Sequence, residues 1–88
     1  MRAEVRIGGG TTGETVAFDG EILDLLLTRA FAPGAPLVID VVTPDAALHV
    51  EGRSRGSKKQ PDGRFAVRVR TTSLRREVRV ALEALHPR

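Results

Sequence analysis

The chain has 88 residues, with 14 basic against 11 acidic side chains, three phenylalanines, and no cysteine, tryptophan or tyrosine. A domain of this size buries only roughly 60 to 65% of its unfolded surface and has little room for a deep catalytic cleft; lacking cysteine, it has no disulfides, thiolate nucleophiles or cysteine metal sites, and a reducing cytoplasm is the compartment expected. The net charge of +3 hides an asymmetry: residues 1–51 carry three basic against eight acidic side chains, a net of −5, and residues 52–88 carry eleven against three, a net of +8.

The N-terminal segment lacks the long apolar core of a signal peptide, and no apolar run is long enough to span a membrane. Ala3, Val5 and Ile7 alternate with Glu4 and Arg6, the period-two pattern of a half-buried strand. Gly8-Gly9-Gly10-Thr11-Thr12-Gly13 reads as a turn or mobile loop, and Thr15 to Phe18 as a second strand. Ile22 to Leu27 is apolar except for Asp24, and periodicity leaves it open between strand and helix. Ala32-Pro33-Gly34 closes that segment, and Leu37 to Val42 reads as a buried strand. Thr43-Pro44-Asp45 turns into a strand at Leu48 to Arg53, with Leu48 and Val50 inward and His49 and Glu51 outward.

Phe65, Val67 and Val69 alternate with Ala66, Arg68 and Arg70 after the turn signal Pro61-Asp62-Gly63. Residues 48–70 therefore read as a hairpin with a long basic tip at 53–59, which sets Phe65, Val67 and Val69 opposite the strand near Leu48 and Val50. The last element is a helix, with Ser73 as N-cap, Glu77 in its first turn and Leu74, Val78, Ala81, Leu82 and Leu85 on one apolar face. Arg79 and Glu83 are spaced as an i,i+4 pair. This order predicts a single domain over residues 1–88, mainly β, in which a C-terminal helix caps a small antiparallel barrel.

The glycine-rich loop matches two phosphate-binding spacings, and each breaks on physical grounds. As a P-loop, it places Glu14 where the phosphates need a lysine. As a dinucleotide fingerprint, it is followed by Thr15-Val16-Ala17-Phe18, a strand-forming run, where a helix is required. His49 and His86 stand in no short metal-ligand spacing, no nucleophile has an evident base, and the Asp19, Glu21, Asp24 cluster lacks the ladder of a calcium loop. The chain is thus read as a non-enzyme with neither catalytic nor metal-ligating residues. The strongest chemical signal is the basic patch Arg53, Arg55, Lys58, Lys59 and Arg64, continued by Arg68 and Arg70 on one strand face, a surface suited to charge-assisted bonds with anions. The same charges also suit a solvated outer face, or neutralisation of one half by the other. Phe18, Phe31 and Phe65 give a nucleic acid little to stack on.

From about Val16 onward the chain resembles the PilZ domain, a small bacterial barrel with a C-terminal helix whose usual members are cyclic di-GMP receptors. The likeness rests on Arg29-Ala30-Phe31-Ala32-Pro33-Gly34-Ala35-Pro36-Leu37, Leu48 to Arg53, Asp62 to Val69 and Leu74 to Leu85. Arg2 and Arg6 have the spacing of the family's R-x-x-x-R pair. Its D/N-x-S-x-x-G segment can be laid on residues 19–24, where Asp19 matches, Glu21 replaces serine and Asp24 replaces glycine. Carboxylates there repel a dianionic ligand, and a side chain at the glycine position restricts its approach.

The resemblance implies a PilZ-like barrel acting as a signalling or adaptor module with a degraded ligand motif, through contact with a protein partner. Cyclic di-GMP is the ligand it brings into question, with Arg2 and Arg6 on phosphate and guanine, Asp19 on a base edge, and Arg68 or Arg70 supplementing them. A nucleic-acid-binding barrel using Arg53, Arg55, Lys58 and Lys59 on backbone phosphates is one alternative, and a functional cyclic di-GMP receptor is the other. No cofactor is expected.

Overall fold

The computed structural model describes residues 2–87. Six antiparallel strands, β1 (Glu4–Ile7), β2 (Thr11–Phe18), β3 (Ile22–Leu27), β4 (Pro36–Val42), β5 (Ala47–Lys59) and β6 (Phe65–Thr72), precede one helix, α1 (Arg76–Leu85). The strands close in the order β1-β2-β3-β6-β5-β4, with β4 pairing back onto β1. The alternation seen in the sequence fills the barrel: Val5, Leu23, Leu25, Leu27, Ile39, Val41, Val50, Val67 and Val69 are buried, and their strand neighbours point outward. Segment 22–27, open between strand and helix, is strand β3; its inward leucines are set against β2 and β6, both of which pair along its length.

The glycine-rich stretch is shorter as a loop than its composition suggests. Only residues 8–10 form the turn, and β2 begins at Thr11, with Gly13 between Val5 and Leu27. A Cβ at Gly13 would run into the Leu26 carbonyl oxygen, so this glycine serves close strand packing and not a mobile loop.

The expected basic hairpin tip is likewise strand. β5 continues through Lys59, and the turn lies at residues 60–64, where Gly63 N–H donates to the Gln60 carbonyl oxygen at 3.0 Å. Consequently Lys59 faces Phe65, Ser57 faces Val67 and Ser54 faces Val69, while Leu48 and Val50 pair with Val41 and Ile39 of β4. The expected pairing of Val67 near Leu48 and Val50 is thus wrong by the length of the strand extension. The expected facing of Val67 is right, since it is 1% exposed.

Two bulges interrupt the ladders. On β5, Arg55 and Gly56 stand opposite the single residue Arg68, with Gly56 at φ +116. On β2, Val16 is the extra residue, between Thr15 and Ala17, which pair with Leu25 and Asp24.

The helix closes the barrel end that carries the β2–β3 and β4–β5 turns. Leu82 is fully buried in the core, Leu74, Val78 and Leu85 pack on it, and Arg79 Nη1 donates to the Gly20 carbonyl oxygen at 2.7 Å. Ser73 is not the N-cap, because it sits at φ +48 outside the helix; Arg75 holds the cap position in extended conformation without a side-chain cap bond. At the C-terminal end, the His86 Nε2 lies 2.7 Å from the buried Thr15 hydroxyl, which also accepts the Ala3 N–H at 2.9 Å.

Candidate functional site

The outward side chains of β2, β3, β6 and β5 form one surface whose rows follow from the register. Lys58, Ala66, Leu26 and Glu14 lie side by side across the four strands, and Arg68, Asp24 and Ala17 form the next row. Adjoining shallow depressions of about 440, 390 and 360 Å³ run across this face and share Val16, Asp24, Ala66 and Arg68 between neighbours. Asp19 and His86 stand at one end of this furrow, Arg2 and Gln60 border its middle, and Arg55 and Lys58 close the other end.

Arg2, Asp19 and Arg68, drawn from distant parts of the sequence, thus meet around one surface. Arg6 and Arg70 do not line it. Arg6 lies on β1 beside Glu4 at 3.1 Å, and Arg70 turns to Glu21 at 2.9 Å.

The chemistry of this surface is governed by internal ion pairs. Arg2 Nη1 contacts Glu14 at 2.8 Å, and Arg64 reaches the same carboxylate at 3.1 Å while also holding Asp62 at 2.9 Å. Bonds from Arg2 and then Arg64 hold the Glu14 carboxyl below its ordinary range. The backbone N–H and guanidinium of Arg64 do the same for Asp62. Arg68 Nε donates to Asp24 at 3.0 Å. Asp19 is used as a turn residue, its Oδ1 accepting the N–H groups of Glu21 at 2.9 Å and Ile22 at 2.7 Å. The acidic half therefore neutralises Arg64, Arg68 and Arg70, as a compact fold with mutual neutralisation predicts.

The remaining members of the basic patch have a different environment. Arg53 stands opposite Arg70 across the strand pair and donates instead to the Gly34 carbonyl oxygen at 3.0 Å. Arg55, Lys58 and Lys59 are exposed, and among the described residues no carboxylate lies within ion-pair distance of them. The loop at 28–35 braces this end of β5. Gly34 N–H donates to the Ser54 carbonyl oxygen at 2.7 Å, and the Ser57 hydroxyl bonds to both Phe31 backbone groups at 2.7 and 2.8 Å. Arg29 lies over the Phe31 ring, 5.2 Å from its centre.

On the other side of the barrel, His49 lies between Glu51 at 3.0 Å and Asp40 at 3.6 Å, and its bond to Glu51 raises its pKa above the ordinary imidazole value. Among the described residues no group of three or more His, Asp or Glu side chains is placed to hold a metal.

Sequence reading found the charges of the furrow but not its floor. Val16 and Ala66 carry no signal in the sequence beyond that of strand residues, and Leu26 falls in the segment that periodicity leaves open between strand and helix. The signal available for the floor was Leu26, an outward leucine in a run whose alternate residues are already sufficient for the core. Compared with models of known protein families, with curated proteins and with solved structures, the chain matches none.

Proposed function

We propose that this chain is a non-catalytic binding module of PilZ-like type whose cyclic dinucleotide surface has been neutralised from within, and that it acts through a protein partner. One observation carries this reading: Glu21 and Asp24, which replace the serine and glycine of the family motif, are the residues paired with Arg70 and Arg68. The substitutions therefore do more than repel a dianionic ligand. They supply an internal anion to the two arginines offered as supplements to Arg2 and Arg6 on such a ligand. Arg2 is engaged by Glu14 and Arg6 by Glu4 in the same way. A small barrel with its helix packed over one end and a core filled by apolar side chains offers mainly surfaces for binding. A chain without cysteine suits a reducing cytoplasm.

Titration calorimetry of the full chain with cyclic di-GMP tests the reading. The wild type is expected to give no binding at micromolar concentrations, and the Glu21→Ser, Asp24→Gly variant to gain affinity. Micromolar or tighter binding by the wild type, lost in an Arg2→Ala, Arg6→Ala double variant, would overturn it.

A further inference from the structure

The half of the furrow between the two bulges combines features that the neutralised dinucleotide surface does not explain. Its floor is aliphatic, made of Val16, Leu26 and Ala66, each only half-buried on the outer face. The bulge on β2 pushes Val16 into that floor, and the bulge on β5 presents Arg55 at the opposite end, beside Lys58. Both cations lack a carboxylate partner among the described residues, while the bulge that carries Arg55 is braced by the loop at 28–35. Two unpaired cations at the end of an exposed aliphatic strip are an arrangement that folding alone does not require.

We propose that this part of the furrow docks an extended acidic segment of a partner protein, with one acidic side chain between Arg55 and Lys58 and an aliphatic one on Ala66 and Leu26. The inference rests on the partner-binding reading above and names the surface and chemistry of the partner. From β2 to β5 the floor crosses three strand spacings of about 4.8 Å, roughly 14 Å in all, the reach of four or five extended residues. Side chains two apart on such a segment are about 6.6 Å apart on one face, which matches an acid over β5 followed by an aliphatic group over β6 and β3. Because the furrow runs across hydrogen-bonded strands, the segment is read by its side chains and not by adding a strand. A nucleic acid fits less well. Among the described residues no aromatic side chain lines this half of the furrow for bases to stack on, whereas its aliphatic floor suits a leucine side chain.

The test is an NMR titration of the ¹⁵N-labelled full chain at about 0.15 M salt, where weak surface attraction is screened. The probe is the pentapeptide acetyl-Glu-Thr-Leu-Thr-Glu-amide, compared with its Leu-to-Ser analogue and with oligo(dT) of equal length. Amide shifts are expected at Arg55, Lys58, Ala66, Arg68 and Leu26. Affinity should fall about tenfold in an Arg55→Ala, Lys58→Ala variant and for the serine peptide, and stay unchanged in Arg75→Ala, Arg76→Ala on the helix. A Leu26→Ser variant, dispersed like the wild type, should lose the preference for the leucine peptide. Absence of shifts at about millimolar peptide, an equal response to both peptides, or stronger binding of oligo(dT) would overturn the proposal. The dinucleotide titration does not depend on Arg55 or Lys58, so that reading and this one fail separately.

Discussion

β6 and the end of β5 lie side by side on the same outer face and are both rich in arginine or lysine, yet only one of them is neutralised. Arg68 and Arg70 of β6 have β3 on one side, whose outward Asp24 and the adjoining Glu21 reach them. The end of β5 has no such neighbour. β4 stops pairing at Pro36, opposite Arg53, so Arg55 to Lys59 overhang it and face a loop that contains no acid. On this face free positive charge is thus created by a difference in strand length, and the excess of basic residues in the sequence does not locate it.

The most severe way to break the contrast is to separate the two strands that carry it. A Cβ at Gly52 would lie 2.5 Å from the Arg70 carbonyl oxygen and 2.7 Å from a Val69 methyl. Gly52→Ala should therefore cost about 3 kcal/mol, read as a lower urea midpoint, and should disorder both surfaces together. An unchanged midpoint would mean that β5 and β6 approach less closely at this point. Val67→Ala should cost about 2 kcal/mol through lost burial and a cavity, without altering the charges above it. If it costs nothing, Val67 does not face the core.

The legibility of the fold follows the same physics. Ala3 to Ile7 and Phe65 to Arg70 could be read because one face is buried and the other wet, which imposes alternation on the sequence. The extension of β5 through Lys59 could not, because beyond Ser54 its outward residues and its bulge carry no buried alternation, and serine, glycine and lysine resemble a loop. Gly13 misled for the related reason that a glycine needed for close strand packing looks like a turn residue. Arg2, Asp19 and Arg68 were named from motif and charge, but which carboxylate each arginine meets depends on pairings across the barrel that no local pattern contains.

A gentler intervention sharpens the contrast without touching the core. Glu21→Gln with Asp24→Asn removes the partners of Arg70 and Arg68, and because both pairs are exposed the stability change should be below about 1 kcal/mol. The surface change should be larger in effect. The variant is expected to elute from heparin resin at higher salt than the wild type, and Arg55→Ala with Lys58→Ala at lower salt. Equal elution of all three would mean that β6 and β5 are not distinguished by the carboxylates of β3 and its turn.

The smallest effects concern two histidines in opposite electrostatic settings. Glu51 chiefly, with Asp40, favours the charged form of His49, so its folded pKa is above the ordinary value of about 6.5. The folded state then holds that proton more tightly, and the contribution of His49 is complete below about 6.5 and lost as pH rises through the folded value. His86 is displaced the other way, chiefly by burial and also by the positive charge of Arg2. There the unfolded chain binds the proton more readily, so the contribution of His86 is complete above about 6.5 and lost as pH falls through the folded value. His49→Gln should accordingly flatten the decline of Tm on the alkaline side of 6.5, and His86→Gln the decline on the acid side. The second change also tests how the helix end is held, since neutral His86 accepts or donates a bond at the Thr15 hydroxyl while Thr15 accepts the Ala3 N–H. If the acid-side profile of His86→Gln superimposes on that of the wild type, His86 is not buried against β2 in a way that lowers its pKa.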